Sequence, residues 1–265
     1  MQRESILAML VLILAVGALP SAAITWGEPD GEGHPNVGLL ITDENGEPAW
    51  RCTGTLIAPT VFLTAGHCVE GTDGARVWFD TDMRENDEYP YGGETSTEGT
   101  AILHPEYGSG GSDPHDVALV ILDEAVDIEP ASLPGPGYLD QLKKERILRP
   151  GGPEAAKFVV VGYGNSLSWP PPDTSVFERI RQVAVSEYVA LTKPWLHMSQ
   201  NILKGDAGTC GGDSGGPAFW VDENDEEIVV AVTSWGDPNC VATGFNYRVD
   251  TPETLLWIYS QFPEE

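Results

Sequence analysis

Cys210-Gly211-Gly212-Asp213-Ser214-Gly215-Gly216-Pro217 is the most informative stretch of this 265-residue chain. Glycines on both sides of one serine let the backbone take tight conformations and leave the hydroxyl and the neighbouring N–H groups open to a substrate. A serine becomes nucleophilic at neutral pH only beside a base. The strongest base is His67 in Thr64-Ala65-Gly66-His67-Cys68, at the end of a β-like run. An acid that could orient it is Asp116 in Asp116-Val117-Ala118-Leu119-Val120, leading straight into an apolar run. Singly, each has a plain reading as a turn, a structural histidine or a strand start. Together they form a nucleophile, base and acid set.

Around these residues the chain is a series of short apolar, β-branched runs: Val37 to Ile41, Thr55 to Ile57, Val61 to Thr64, Val117 to Leu122, Phe158 to Val161 and Ile228 to Ser234. Gly, Pro, Asn and Asp clusters separate them, which predicts an all-β sandwich or barrel. Residues 129–153 change texture: Pro130, Pro134 and Pro136 lead into Tyr138 to Leu148, a candidate short helix, read as a linker between two β domains. Thr251-Pro252-Glu253 is a helix start, with Thr as N-cap and Pro in the first turn, and Leu255, Leu256, Ile258 and Tyr259 supply an apolar face.

Residues 1–23 read as a signal peptide: Arg3, an apolar run from Ile6 to Leu19, then small residues ending at Ala23. The run is shorter than the roughly 20 residues needed to span a bilayer. A secreted chain free of the membrane after leader removal is expected. A formal net charge of −27 disfavours nucleic-acid binding and attracts cationic substrates. With 14 Lys and Arg against 41 Asp and Glu, the composition also suits a salt-rich habitat. Cys52, Cys68, Cys210 and Cys240 read as two disulfides, with three pairings open. No CxxC pair exists, so neither metal nor cofactor is expected. Asp80 to Glu88 and Asp222 to Glu227 are candidate calcium loops, but neither has EF-hand spacing with its central glycine, and the second reads rather as a solvated hairpin tip.

Two rival chemistries can be weighed. Gly212-Asp213-Ser214-Gly215-Gly216 also fits the G-x-S-x-G elbow of α/β-hydrolases, whose histidine follows the serine. All five histidines here, His34, His67, His104, His115 and His197, precede Ser214. His115 abuts Asp116 and is a rival base; on a strand it would face away from that carboxylate, as a solvent-exposed neighbour.

The order His, Asp, Ser within TAGHC, DxALx and GDSGGP motifs resembles the trypsin/chymotrypsin family of serine proteases, here as a microbial-looking member. Ser234-Trp235-Gly236 is similar to the family's substrate-binding strand, and Gly162-Tyr163-Gly164 to its GWG segment. The resemblance implies two six-stranded antiparallel β-barrels and a C-terminal α-helix, with residues 24–128 and 154–250 as the barrels and 251–265 as helix and tail. It implies catalysis by His67, Asp116 and Ser214 on protein or peptide substrates, with the Gly212 and Ser214 N–H groups as oxyanion hole. Implied too are disulfides Cys52–Cys68 and Cys210–Cys240, and an Ile24 terminus pairing with Asp213 once the leader is cut. Gly208, Ser234, Trp235, Gly236 and Gly244 would shape the primary pocket. With Gly208 instead of an acid six positions before the serine, and with Gly236 and Gly244 in the walls, a medium or large uncharged side chain is expected. A monomer is expected, and a non-enzymatic binding protein on the same scaffold is the remaining alternative.

Overall fold

The computed structural model describes residues 24–165 and 176–263. The expected signal peptide therefore lies outside the described residues. Chain order runs β1 (Glu28–Pro29), β2 (Val37–Glu44), β3 (Glu47–Ala58), β4 (Val61–Thr64), β5 (Gly74–Trp78), β6 (Ser96–Leu103) and β7 (Ala118–Leu122). It continues with α1 (Tyr138–Lys144), β8 (Lys157–Gly162), β9 (Gln182–Leu191), β10 (Trp195–Ser199), β11 (Pro217–Val221), β12 (Glu227–Gly236), β13 (Thr243–Arg248) and α2 (Pro252–Ser260).

Strands β2 to β7 close an antiparallel barrel in the order β2-β3-β4-β7-β6-β5, with β5 pairing back onto β2. The second set runs β9-β10-β13-β12-β11-β8 and closes through a β8–β9 ladder. Both barrels are six-stranded, as the fold class expected. The β-branched and aliphatic runs explain the closure: their inward side chains, Leu40, Leu56, Phe62, Val77 and Val120, fill the first barrel, and Phe158, Leu196, Met198 and Ala231 the second. A further cluster, including Val37, Leu63, Leu119, Val161, Phe219, Val232 and Tyr247, joins the two. The barrels thus share one buried face, and the grooves along its edge are where the site forms.

One boundary differs from the sequence division. Residues 24–29 were grouped with the first barrel, yet β1 pairs with β9 of the second, and Thr25 bridges Gly208. The cause is Ile24, whose completely buried side chain belongs to the second barrel's core.

Both helices appear. Thr251 Oγ1 accepts the Thr254 N–H at 3.2 Å, as an N-cap should. Only Leu255 and Ile258 of the expected apolar face are buried; Leu256 and Tyr259 face outward. Asp222 accepts the N–H groups of Asn224 and Glu226, making the acidic stretch a self-bonded hairpin tip between β11 and β12. The disulfides are Cys52–Cys68 and Cys210–Cys240, the pairing the resemblance implied.

A buried cation ties the parts together. Arg181, 1% exposed, donates to Asp30 Oδ2 (2.7 Å) and Gly31 O (2.9 Å) near the start of the chain. It also donates to Val37 O (3.2 Å) and Phe79 O (3.0 Å) of the first barrel. Tyr163, next to β8 of the second barrel, adds a hydroxyl donated to Asp80 O at 2.8 Å. Asp30 also receives His34. Burial disfavours the charged imidazole, but hydrogen bonds to Asp30 and Glu227 outweigh it and push the His34 pKa up to about 9.

Candidate active site

His67 sits in a single 3-10 turn, Gly66–Cys68, directly after β4. That turn needs glycine at 66: a Cβ there would stand 2.6 Å from the Tyr107 ring and 3.2 Å from Asp116 Oδ1. The Cys52–Cys68 bridge anchors the turn to β3. Asp116, just before β7, receives the His67 backbone N–H (2.9 Å) and faces its Nδ1 at 3.0 Å. Ser234 Oγ also donates to Asp116 Oδ2. Burial by itself would raise the Asp116 pKa; the hydrogen bonds from His67 and Ser234 prevail and hold it below the ordinary carboxylate value. The result is an ionised acid that fixes the imidazole with a proton on Nδ1 and turns Nε2 outward as an acceptor.

Ser214 comes from the second barrel, yet its backbone is clamped to the first. Its carbonyl accepts Thr53 N of β3 at 2.8 Å. At Gly215 a Cβ would lie 2.0 Å from Thr64 Oγ1 and 2.8 Å from Ala65 N, so the Ser214 segment presses on the chain leading into His67. Among the described residues no hydrogen bond joins Ser214 Oγ to His67. Thr53 Oγ1 donates to Gly212 O at 2.9 Å, and Gly212 has φ +100°, a conformation for glycine. The Gly212 and Ser214 N–H groups donate to no partner among the described residues. They are free donors on either side of Asp213.

Asp213 is completely buried and accepts Gly164 N (2.7 Å) and Cys210 N (2.8 Å). Desolvation pushes its pKa up to about 7, against the pull of those two N–H groups. No ion pair reaches it among the described residues. The Ile24 nitrogen, joined to Ala23 in the full chain, is an uncharged amide; its residue is nonetheless drawn beside Gly208 by the Thr25–Gly208 bridge.

Two hollows flank these groups and share Ser234 and Trp235. One, about 420 Å³, reaches Ser214 and is walled by Thr209, Gly211, Trp235 and Gly236. The other, about 430 Å³, lies on the His67 side against Tyr107, Pro114 and Trp195. Trp235 stacks on Phe245 at 3.7 Å, which fixes the wall between them. Of the expected pocket residues, Ser234, Trp235 and Gly236 line the first hollow; Gly208 and Gly244 do not. Their open sides are filled by Gln200, whose side chain would meet a Cβ at 2.3 Å from Gly208 and 2.9 Å from Gly244.

Sequence reasoning missed Gln200, the orienting role of Thr53 and the Ser234–Asp116 contact. It misplaced His115, which lies in a left-handed turn (φ +50°) and is half-buried, stacked on His104 at 4.7 Å. His104, Glu106 and His115 bring potential ligand atoms within 4.8 Å of one another. His104 Nδ1 accepts the Glu106 N–H at 3.2 Å, however, which puts that ring's proton on Nε2 and would have to change before a metal bound there.

A hydrogen-bonded histidine and carboxylate on one barrel, beside a glycine-flanked serine on the other, define a two-barrel hydrolase cleft. The Trypsin family model matches residues 26–258, and the chain belongs to the trypsin family. It is a serine-type endopeptidase. Serine protease 1 of Drosophila melanogaster is 31% identical over 80% of this chain and 75% of its own. Vitamin K-dependent protein C of Mus musculus is 31% identical over 81% of this chain and 46% of its own. Coagulation factor XII of Bos taurus is 28% identical over 85% and 37% respectively. A solved structure titled "HL collagenase structure at 1.7A resolution" covers 91% of this chain and 100% of its own, with a TM-score of 0.66 at 20% identity, a likeness of fold. These relatives are insect and mammalian, and none supports the expected microbial character.

Proposed function

We propose that this chain is a secreted endopeptidase that cleaves peptide bonds through an acyl-enzyme on Ser214. The observation that carries the reading is the His67–Asp116 hydrogen bond on one barrel, with Ser214 held against β3 of the same barrel by the Thr53 contact. Ser214 Oγ attacks the scissile carbonyl carbon as its proton passes to His67 Nε2. The tetrahedral oxygen draws on the Gly212 and Ser214 N–H groups. His67 then hands the proton to the leaving amine as the C–N bond breaks, and water repeats the sequence to free the acid. Asp116 stays ionised throughout and offsets the imidazolium charge. A side-chain rotation brings the hydroxyl to the imidazole when substrate binds, a tightening common in such sites.

Removal of residues 1–23 would make Ile24 a charged terminus. In this reading its ammonium turns toward Asp213, replacing a desolvated acid with an ion pair and fixing the loop that carries Gly212. Domain limits follow the same division, with 24–128 and 154–250 as the barrels apart from the β1 exchange, 129–153 as linker and 251–265 as helix and tail. The protein works as a monomer on peptide substrates in the extracellular space.

Labelling with a fluorophosphonate and mapping the modified residue tests the nucleophile. Modification at Ser214, lost in Ser214→Ala and strongly slowed in His67→Ala, is the expected result. A folded Ser214→Ala variant with full peptidase activity would overturn the assignment.

A further inference from the structure

We infer that Gln200 is the primary specificity residue: its side-chain amide backs the Thr209–Gly236 wall of the hollow beside Ser214 and limits it to uncharged side chains up to about the length of leucine. This deepens the reading above and rests on Ser214 as nucleophile.

Gln200 follows β10 and is 2% exposed. Three glycines converge on it. A Cβ at Gly208 would lie 2.3 Å from its Cγ, one at Gly244 would lie 2.9 Å from its Nε2, and one at Gly236 would lie 3.5 Å from its Oε1. Gly236 and Thr209 both line the hollow, and Gln200 contacts both, so its amide backs that wall from behind. A carbonyl can only accept, and this settles which way the amide faces. Nε2 donates to Thr209 O at 2.7 Å and approaches Thr209 Oγ1 at 3.2 Å, which engages both of its protons. Oε1 is left toward Gly236, buried and, among the described residues, without a hydrogen-bond partner.

The consequences for a substrate follow from that placement. A lysine or arginine side chain descending past Gly236 would lose water and find one neutral carbonyl in place of a counter-charge, a poor exchange. An acidic side chain would meet the same acceptor oxygen within a protein of net charge −27. A phenylalanine ring pushing past Gly236 would come against the Gln200 amide packed behind that wall. A leucine-sized group can rest on the amide without either conflict. The glycines thus make room for a residue of the protein, and the uncharged preference has a cause in the site.

The test uses the mature enzyme with peptides differing only at the residue before the cut: Leu, Phe and Arg. The native enzyme should favour Leu over both. Gln200→Ala should raise the Phe/Leu ratio of kcat/KM at least tenfold. Gln200→Glu, close in shape, should raise the Arg/Leu ratio at least tenfold. Ratios within twofold of native in both folded variants, or a native preference for Arg, would overturn the assignment. If Gln200→Ala fails to fold, the Gln200→Glu ratio alone decides. Fluorophosphonate titration separates the two levels. Absence of label at Ser214 sinks the nucleophile, whereas labelled variants with unmoved ratios sink only the role of Gln200.

Discussion

Asp213→Asn in an inactive Ser214→Ala background should change how stability depends on pH, and the sign should depend on whether Ile24 is a free terminus. With the chain still joined to Ala23, Asp213 is completely buried and its pKa is pushed from 3.8 to about 7. Between those values the folded form holds a proton that the unfolded form has released. Raising the pH there favours unfolding, and the loss levels off above pH 7. The interval is about 3 pKa units, each worth about 1.4 kcal/mol, so the ceiling is about 4 kcal/mol. The assay is urea unfolding between about pH 4 and 8, read as the difference between the Asp213 and Asp213→Asn chains so that other carboxylates cancel. Stability of the Asp213 chain should fall relative to the variant as pH rises. In protein beginning at Ile24 the ammonium should lower the Asp213 pKa, and the relative stability should instead grow with pH. Parallel curves for both chains in both forms would refute the reasoning.

Two further outcomes test neighbouring contacts. Ser234→Ala removes a donor to an ionised, buried carboxylate, which is worth about 1.5 kcal/mol or more, so kcat/KM should fall about tenfold with the fold retained. His34 has a folded pKa of about 9 against an ordinary 6.5, so its contribution is fully present below pH 6.5 and lost as pH rises through 9. His34→Phe should abolish an alkaline loss of about 2 kcal/mol, discounted for the part-exposed Glu227 partner, as measured by urea unfolding at pH 6 to 10.

The readable parts of the sequence were those where one residue type answers one physical demand. Val61 to Thr64 is a strand because a β-branched apolar run has one way to be buried, and Thr251-Pro252 starts a helix because its caps are local. The Ser214 loop was legible because Gly212 and Gly215 sit at φ +100° and +80°, where other residues are strained. Gln200 was not legible: nothing nearby in sequence marks it, and its meaning comes from glycines that reach it from β12, β13 and the Gly208 loop. His115 was misplaced because an Asp leading into an apolar run suggests that the strand begins earlier; it begins at Ala118, after a left-handed turn. The β1 exchange escaped notice because two residues of strand carry no period, and only the burial of Ile24 explains it.

The guanidinium of Arg181 has a consequence for the kind of protein that can be cut. Set in a dry interior just before β9, it grasps carbonyls of the first barrel and so braces the two halves against each other, and a braced slot favours an extended strand over a folded surface. Digestion of native proteins should therefore be governed by how often the victim's own loops come loose, with the protease waiting as a fixed die into which only slack chain can be fed.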